Sequence, residues 1–134
     1  MSIYTPIRNI IAGVKPADIV KLPHDAEVST NSTTPVLVKE ILNLVDGKWR
    51  ITFDLKTEAV GIAAIGRIYR NGEPYGTERI TLNTYWTTFT EDLIFHRGDY
   101  IQLYLYCGAS GGLAKARNFR LCGIYVQPPC EITV

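Results

Sequence analysis

The sequence predicts an all-β protein, an antiparallel β-sandwich or jelly roll of about eight or nine strands, on three observations. Extended segments rich in β-branched and aromatic residues recur at intervals of roughly ten residues, the spacing typical of sandwiches and barrels. Two pairs of turn residues, Asn71-Gly72 and Asp46-Gly47, each separate two such segments. No long segment places its apolar residues at helical spacing.

The strongest turn signal lies near the middle of the chain, within residues 62–81 (IAAIGRIYRNGEPYGTERIT). An Asn-Gly pair accepts φ > 0 at both central positions of a type I′ turn, whose twist matches that of the flanking strands. Asn71-Gly72 is therefore predicted to close a central β-hairpin.

Size and charge limit the kinds of protein that this chain can be. With 134 residues, 46% of them hydrophobic, it can bury a core as a single domain spanning residues 1–134. Because 14 basic residues nearly balance 13 acidic ones, the basic excess typical of nucleic-acid binding is missing, and we expect no nucleic-acid partner. No apolar run approaches the roughly 20 residues of a membrane-spanning helix. The first residues also lack the long apolar core of a signal peptide, so we expect a soluble chain without membrane insertion.

Residues 1–24 are interpreted as an N-terminal arm or edge strand, with a short helix as the alternative, because their isoleucines fit neither period cleanly. Pro16 and Pro23 bracket the apolar segment 17–22, and prolines confine such a segment to the edge of a sheet. The polar segment 24–34 is expected to be a surface loop with a brief strand around residues 26–29.

A second hairpin is predicted from residues 35–44 through Asp46-Gly47 into residues 48–56. In the return strand, residues 48–56, apolar and polar residues alternate without exception. This pattern is typical of an antiparallel strand with one buried face. The residues predicted to form one wall of the core are Trp49, Ile51, Phe53 and Leu55.

Three further strands are predicted in the second half of the chain, at residues 85–95, 100–107 and 115–126. Residues 108–112 (GASGG) are predicted to be a loop between the last two. The strand 100–107 has an aliphatic face and an opposite face rich in tyrosine. Its aliphatic residues are Ile101, Leu103, Leu105 and Cys107.

The three cysteines, Cys107, Cys122 and Cys130, are an odd number without CxxC spacing, so neither a zinc site nor a full disulfide framework is indicated. Our first interpretation is that they are small buried hydrophobic residues. A bridge between Cys107 and Cys122, interpreted as lying on neighbouring strands, is the alternative.

The ionisable residues show no catalytic or metal-binding pattern. His24 and His96 have no partner at metal-ligand spacing, and no serine lies in a nucleophile elbow. Glu91 and Asp92 are adjacent on a predicted strand, so they would point to opposite faces and could not act together as a glycosidase pair. We expect a protein that is not an enzyme, without catalytic residues, metal or cofactor.

The tripeptide Arg97-Gly98-Asp99 has the sequence that many adhesion ligands present to integrins. A Gly-Asp pair before a strand is also ordinary turn chemistry. The turn is our preferred interpretation.

The candidate functional surface is a tyrosine row formed by Tyr100, Tyr104 and Tyr106, together with Trp86. Aromatic side chains are enriched at subunit interfaces, and they also stack on sugar rings. Interface, sugar-binding surface and plain packing under a covering loop are the three interpretations that the residues allow.

Five segments follow one another in a fixed order: RITFDLK, GRIYRNGEPYGTERIT, TYWTTFTEDLIF, RGDYIQLYLYC and ARNFRLCGIYV. In this order they resemble a β-sandwich, jelly-roll-like module of viral, phage and prophage structural proteins, as in tail-fibre heads and capsid decoration proteins. The resemblance covers residues 25–126, and it transfers no catalytic residue.

This resemblance implies a non-enzymatic structural protein of a virion or capsid that works through protein–protein assembly, including attachment. A carbohydrate-binding β-sandwich module is the alternative, and a small hydrolase the third hypothesis. The expected partners are further copies of the chain in a homo-oligomer such as a trimer, other virion proteins and a cell-surface glycan. The expected location is the virion, or the host cytoplasm before assembly.

Overall fold

The computed structural model describes residues 19–20 and 26–126, with side chains from residue 26 to residue 124. Within these residues there are ten strands and no helix. Two of the strands, β1 and β6, are only two residues long. The strands are β1 (Ile19–Val20), β2 (Val28–Thr30), β3 (Val36–Leu42), β4 (Gly47–Thr57), β5 (Ala64–Arg70), β6 (Glu73–Pro74), β7 (Arg79–Thr81), β8 (Thr87–Phe95), β9 (Tyr100–Cys107) and β10 (Ala114–Val126).

The strands form two antiparallel sheets. The first sheet has the order β1-β10-β4-β8, and β2 also pairs with β10. The second sheet has the order β3-β9-β5-β6, and β7 also pairs with β5. Buried side chains from both sheets meet in one core, which confirms the predicted all-β sandwich.

The strand order is that of a jelly roll. Without the two shortest strands, the remaining eight can be numbered consecutively along the chain. The first sheet then has the order first, eighth, third, sixth, and the second sheet the order second, seventh, fourth, fifth. All but one of the connections cross from one sheet to the other. This interleaving of two sheets defines the double-sheet jelly roll.

The core is built from the faces that alternation predicts. Trp49, Ile51, Phe53 and Leu55 of β4 are at most 2% exposed, so the predicted wall is confirmed. On the facing sheet, the aliphatic residues of β9 are also buried. Phe95 of β8 and Phe119 and Leu121 of β10 are buried on the same side of the core as β4. The long strands β4 and β9 therefore turn one set of alternate side chains inward, as period-two patterning requires.

The predicted hairpin at Asp46-Gly47 is wrong. β3 pairs with β9 in the second sheet, whereas β4 pairs with β8 and β10 in the first. Asp46 lacks the positive φ that a type I′ turn needs at this position. The connection is held instead by the turn before β9: the Asn43 N–H donates to the Asp99 carbonyl at 2.8 Å, and the Arg97 N–H donates to the Asp46 carboxylate at 2.6 Å. Residues 43–46 thus carry the chain from one sheet to the other.

The central hairpin at Asn71-Gly72 is confirmed. Asn71 has φ 52° and Gly72 has φ 84°, and the flanking residues of β5 and β6 pair across the turn. Gln102 supports the turn, because its side-chain carbonyl accepts the Gly72 N–H at 2.8 Å. The turn is therefore a structural element tied to β9.

Gly72→Val should lower the free energy of unfolding by about 1 to 2 kcal/mol, because a side chain at positive φ crowds its own backbone. Apart from its own and the adjoining residues, a Cβ at Gly72 would meet no atom within 4 Å, so the loss would report local backbone strain and not a clash with another part of the fold. Urea unfolding measures it. Glu73→Val, at an exposed strand position, is the matched control and should be close to neutral. An equal loss of stability in the two variants would contradict the assignment of Gly72 to a turn position with positive φ.

The cysteines do not lie on neighbouring strands, so that interpretation is wrong. Cys107 is buried in β9 of the second sheet, whereas Cys122 lies in β10 of the first sheet, and both are free thiols. Cys130 lies outside the described residues.

The N-terminal predictions are tested only in part. β1 falls within the predicted segment 17–22 and pairs with β10 at the margin of the first sheet. The brief strand predicted around residues 26–29 is found as β2. The rest of the N-terminal arm, including His24, lies outside the described residues.

Candidate functional site

The tyrosine row lies on the outer face of the second sheet. Because Ile101, Leu103 and Leu105 of β9 point into the core, the alternating residues point away from it. Tyr100 is 42% exposed, and Tyr104 and Tyr106 are partly exposed. The sequence therefore predicts their orientation correctly.

Neighbouring strands extend this row into a continuous surface, which we call the tyrosine face. Its members are the outward side chains of β3, β5, β7 and β9: Leu37, Glu40, Leu42, Ile65, Arg67, Tyr69, Ile80, Tyr100, Gln102, Tyr104 and Tyr106. Ile80, Ile65 and Tyr106 form one row across three strands. Leu37 and Tyr104 form the next row with Arg67. Aliphatic and aromatic groups thus cover most of this face.

Two aromatic rings lie at the centre of the tyrosine face. Tyr69 of β5 and Tyr104 of β9 stack with their centroids 3.9 Å apart and an interplanar angle of 21°. Stacking fixes both rings, so less side-chain entropy is lost when another surface covers them.

Several polar groups of the tyrosine face find partners within the chain. Gln102 is only 6% exposed although it points outward, and its amide donates to Glu40 at 2.6 Å. The Tyr106 hydroxyl donates to the carboxylate of Glu78, beside the face. The Arg67 Nε donates to the Gly76 carbonyl at 2.6 Å. Covering these groups costs less than covering unpaired polar atoms, because their hydrogen bonds are already made.

The pH dependence of Tyr106 offers a test of this arrangement. The hydrogen bond to Glu78, assisted by partial burial, raises the pKa of Tyr106 to about 12, above the ordinary value of about 10. The unfolded chain therefore releases this proton first, so the stabilising effect is complete below about pH 10 and disappears as the pH rises to about 12. Absorbance titration of the phenols should lose its highest component in Tyr106→Phe. In Glu78→Gln that component should move to lower pH; an unchanged titration in both variants would refute the contact.

Trp86 does not join the tyrosine row, because it lies on the opposite side of the sandwich. Lys56 of β4 and Arg117 of β10 place their cations 4.9 and 4.3 Å from the ring centroid of Trp86. Both residues point outward from the first sheet, since their neighbours Leu55 and Ala116 are buried. The structure therefore divides the predicted surface into the three tyrosines and a separate tryptophan.

The outer face of the first sheet, which we call the charged face, differs in composition from the tyrosine face. Its outward residues on β4, β8 and β10 include Lys48, Arg50, Thr52, Asp54, Lys56, Thr90, Asp92, Lys115 and Arg117. Arg50 and Asp92 form a two-contact ion pair at 2.9 and 3.0 Å, and Lys115 pairs with Glu27 and Glu58. Polar and charged groups suit contact with water.

One carboxylate of the charged face is nearly buried. Asp54 is 5% exposed and accepts hydrogen bonds from Thr88 at 2.8 Å, Asn118 at 3.0 Å and Arg117 at 3.1 Å. Arg117 also stacks on Trp86. Asp54 thus links β4, β8 and β10 and helps hold the tryptophan in place.

The Arg97-Gly98-Asp99 tripeptide forms the turn into β9. Gly98 has φ 94°, and the Asp99 carboxylate accepts hydrogen bonds from the His96 N–H at 2.8 Å and the Asn71 amide at 3.0 Å. Partial burial opposes ionisation of Asp99, but these hydrogen bonds outweigh it and hold the pKa of the carboxyl below its usual range. Its carboxylate therefore fastens this turn to the central hairpin.

The remaining acidic and histidine candidates form no site. Glu91 accepts hydrogen bonds from Thr77 on the side facing the second sheet, whereas Asp92 pairs with Arg50 on the charged face, as alternation predicts. His96 is exposed, and its Nδ1 lies 3.9 Å from Oδ1 of Asp46. Among the described residues no group of three or more His, Cys, Asp or Glu side chains could hold a metal ion.

Part of the tyrosine face is not predicted from the sequence. Ile65, Tyr69 and Ile80 point outward on β5 and β7, but the central hairpin was not assigned a buried and an outer side. The signal was available, because Ala64, Gly66 and Ile68 alternate with Ile65, Arg67 and Tyr69. Gly66 faces the core, where a Cβ would meet Leu55 and Phe53 side chains at 3.1 to 3.3 Å. A residue without a side chain at position 66 therefore indicates which side of β5 faces the core.

No helix long and apolar enough to span a bilayer occurs in the part of the chain that the structure describes. No protein-family model matches the chain, and no curated protein matches it either.

Proposed function

We propose that this chain is a non-enzymatic structural protein of a virus or phage particle that assembles with further copies of itself through the tyrosine face. The observation that carries the proposal is the difference between the two outer faces of the sandwich. One is mainly polar and charged, with Ile94 and Trp86 as its large apolar side chains. The other is largely aromatic and aliphatic, with several of its polar groups paired internally.

The composition of the tyrosine face favours contact with protein. Aromatic residues are enriched at protein interfaces, and charged residues are depleted at interface centres. Exposed Ile80, at 55%, and Tyr100 extend the apolar character to two margins of the face. Threonine or lysine at these positions would lower the risk of unwanted association, so an apolar face of this extent favours a partner.

The size of the tyrosine face suits an interface. Strands β3, β5, β7 and β9 contain 7, 7, 3 and 8 residues, 25 in total. With a rise of about 3.4 Å per residue and a strand spacing of about 4.8 Å, they cover on the order of 400 Å² in projection. Because side chains roughen the surface, the accessible area exceeds this projection and is of the same order as the roughly 800 Å² per partner of a standard interface. Closed assemblies of identical chains are the commonest oligomers, so further copies of the chain are the proposed partners, a trimer being one such assembly.

The viral part of the proposal is supported by the resemblance of residues 25–126 to modules of virion proteins. The jelly-roll order fits it, because capsid domains use this architecture, although lectin domains and cupins use it too. Fold alone does not fix function. The proposed partners therefore include other virion proteins, and the proposed location is the virion, or the host cytoplasm before assembly.

A carbohydrate-binding module that serves attachment is the second candidate, and Tyr85 is the observation in its favour. Tyr85 is 67% exposed in the loop between β7 and β8, next to Trp86, whose ring contacts Arg117. Leu82 is exposed in the same loop, and Val60 is exposed in the neighbouring loop between β4 and β5. A hydrogen bond from the Thr57 N–H to the Asn83 carbonyl links the two loops. A glycan would therefore stack on Tyr85 and not on the tyrosine row.

Sedimentation velocity at micromolar concentration tests assembly through the tyrosine face. The unaltered chain should sediment as an oligomer, and Tyr104→Glu should shift it to monomer, because an unpaired charge at the centre of an interface is costly to bury. Thr90→Glu, which adds the same charge to the charged face, is the matched control and should leave the oligomer intact. Circular dichroism verifies that both variants fold.

Two outcomes would contradict this assembly. One is a monomer for the unaltered chain over the whole concentration range. The other is an oligomer that Tyr104→Glu leaves unchanged. Loss of glycan-array binding in Tyr85→Ala, together with a monomeric chain, would instead support the carbohydrate-binding alternative.

A further inference from the structure

Strand β8 has a long and regular free edge. It spans nine residues and pairs with β4 without a register shift from Thr87 to Phe95. In the described part of the chain no other strand pairs with it. A regular edge of this length presents unpaired backbone groups to which another strand can add.

The backbone groups that face outward on β8 can be identified from their contacts. The Tyr75 hydroxyl donates to the Ile94 carbonyl at 2.7 Å, and Arg79 donates to the Thr90 carbonyl at 3.4 Å. Because the N–H and C=O of one strand residue point to the same side, alternate residues share this direction. The N–H and C=O groups of Thr88, Thr90, Asp92 and Ile94 therefore point away from β4.

The segment that supplies these two donors, residues 75–79, runs between the two sheets beside β8, and we call it the strap. Its first part is held on the second sheet, because the Tyr75 and Gly76 N–H groups both donate to the Ile68 carbonyl, at 3.0 and 2.8 Å. Its middle is held on β8, because the Thr77 N–H and hydroxyl donate to the Glu91 carboxylate at 2.9 to 3.1 Å. The Tyr75 ring also packs edge-on against Phe95, with centroids 5.3 Å apart.

We infer that the strap guards the free edge of β8 against strand addition by a second copy of this chain. It occupies two of the four outward carbonyls and places the side chains of Tyr75 and Arg79 where an added strand would lie. Natural sheets protect their edges with such coverings, since an open edge is a template for edge-to-edge growth. The inference is independent of the tyrosine face, because it concerns an edge of the other sheet.

The test removes the two donors and conserves the approximate size of their side chains, although Arg79→Met also removes the contact of Arg79 with Glu91 at 3.7 Å. The double variant Tyr75→Phe/Arg79→Met retains the aromatic ring and an unbranched apolar side chain but cannot donate to the carbonyls of β8. Its sedimentation profile should shift, with increasing concentration and time, from the unaltered chain's species to large polymers that bind thioflavin. Lys48→Met, on the charged face of β4, is the matched control and should cause no such shift.

A third substitution locates the growth site. Thr90→Pro removes an N–H that points away from β4, so it leaves the ladder to β4 complete and blocks an added strand. Placed in the double variant, it should abolish polymer growth. Polymers that persist despite Thr90→Pro, or a folded double variant that does not polymerise, would overturn the inference.

A peptide assay covers the case in which the double variant does not fold. Tyr75→Phe alone keeps the ring packing and removes one donor. The fluorescent peptide TTFTEDLIF, copied from residues 87–95, should bind Tyr75→Phe more tightly than it binds the unaltered chain. Equal binding to both proteins would overturn the guard role of the strap.

Discussion

Phe53→Ala should lower the free energy of unfolding by about 3 to 5 kcal/mol, the usual cost of truncating a buried phenylalanine. Phe53 lies in the middle of β4, is 2% exposed, and packs near Phe89 with ring centroids 6.1 Å apart. Gly66 on the facing sheet lies close to the ring, so removal of the ring would leave a cavity between the two sheets. Urea unfolding at a fixed temperature measures the loss.

Thr52→Ala is the matched control, because Thr52 is the preceding residue on β4 and points to the charged face. Its loss should stay within about 0.5 kcal/mol, as is usual for surface positions. A loss below about 1 kcal/mol for Phe53→Ala would mean that the inner and outer sides of β4 are exchanged.

Asp54→Ala should have the next largest effect, a loss of about 2 to 3 kcal/mol. Three donors, from Thr88, Arg117 and Asn118, would lose one acceptor that is almost closed to water. Because Arg117 also contacts the ring of Trp86, the fluorescence emission of Trp86 should shift to longer wavelength. Urea unfolding and emission spectra of the folded variant measure the two effects.

Asp92→Ala is the control on the same face, since it removes a carboxylate that is also bound by an arginine. This pair is exposed to solvent, so its loss should be at most about 1 kcal/mol. Equal losses for Asp54→Ala and Asp92→Ala would contradict the central role given to the buried carboxylate.

Alternation predicted the inner and outer sides of individual strands well. The wall of β4 and the two faces of β9 are where period two places them, because a half-buried strand encodes its sides in its own residues. The turn at Asn71-Gly72 was equally predictable from the sequence, since its conformation depends on two adjacent residues.

Sheet membership could not be predicted in the same way. Asp46-Gly47 has the composition of a hairpin turn, yet the chain crosses there to the other sheet, because β3 and β4 each find better partners far away in sequence. The same limit applies to the cysteines of β9 and β10. Pairing between distant segments is fixed by the packing of the whole sandwich and leaves no local pattern.

The candidate surface was predictable within one strand but not between strands. The orientation of the tyrosine row follows from β9 alone, and the structure places it as predicted. Ile80 is next to the tyrosine row only because of the register between β7 and β5. Trp86 lies away from the row, because its ring contacts Lys56 and Arg117 on the outer face of the other sheet. Residues on one strand could thus be grouped from the sequence, whereas residues on different strands could not.

The position of β10 has a consequence for how this chain is made. β10, the last strand among the residues that the structure describes, lies inside the first sheet, where it pairs with β1, β2 and β4. The early strands of that sheet cannot complete their pairing until residues 114–126 have been synthesised. Until then, apolar residues of β4 such as Trp49 and Phe53 lack their cover, a state in which partly folded chains are prone to associate. The first sheet can therefore reach its native topology only after β10 has been made, and we expect slow folding, because these pairings close long loops.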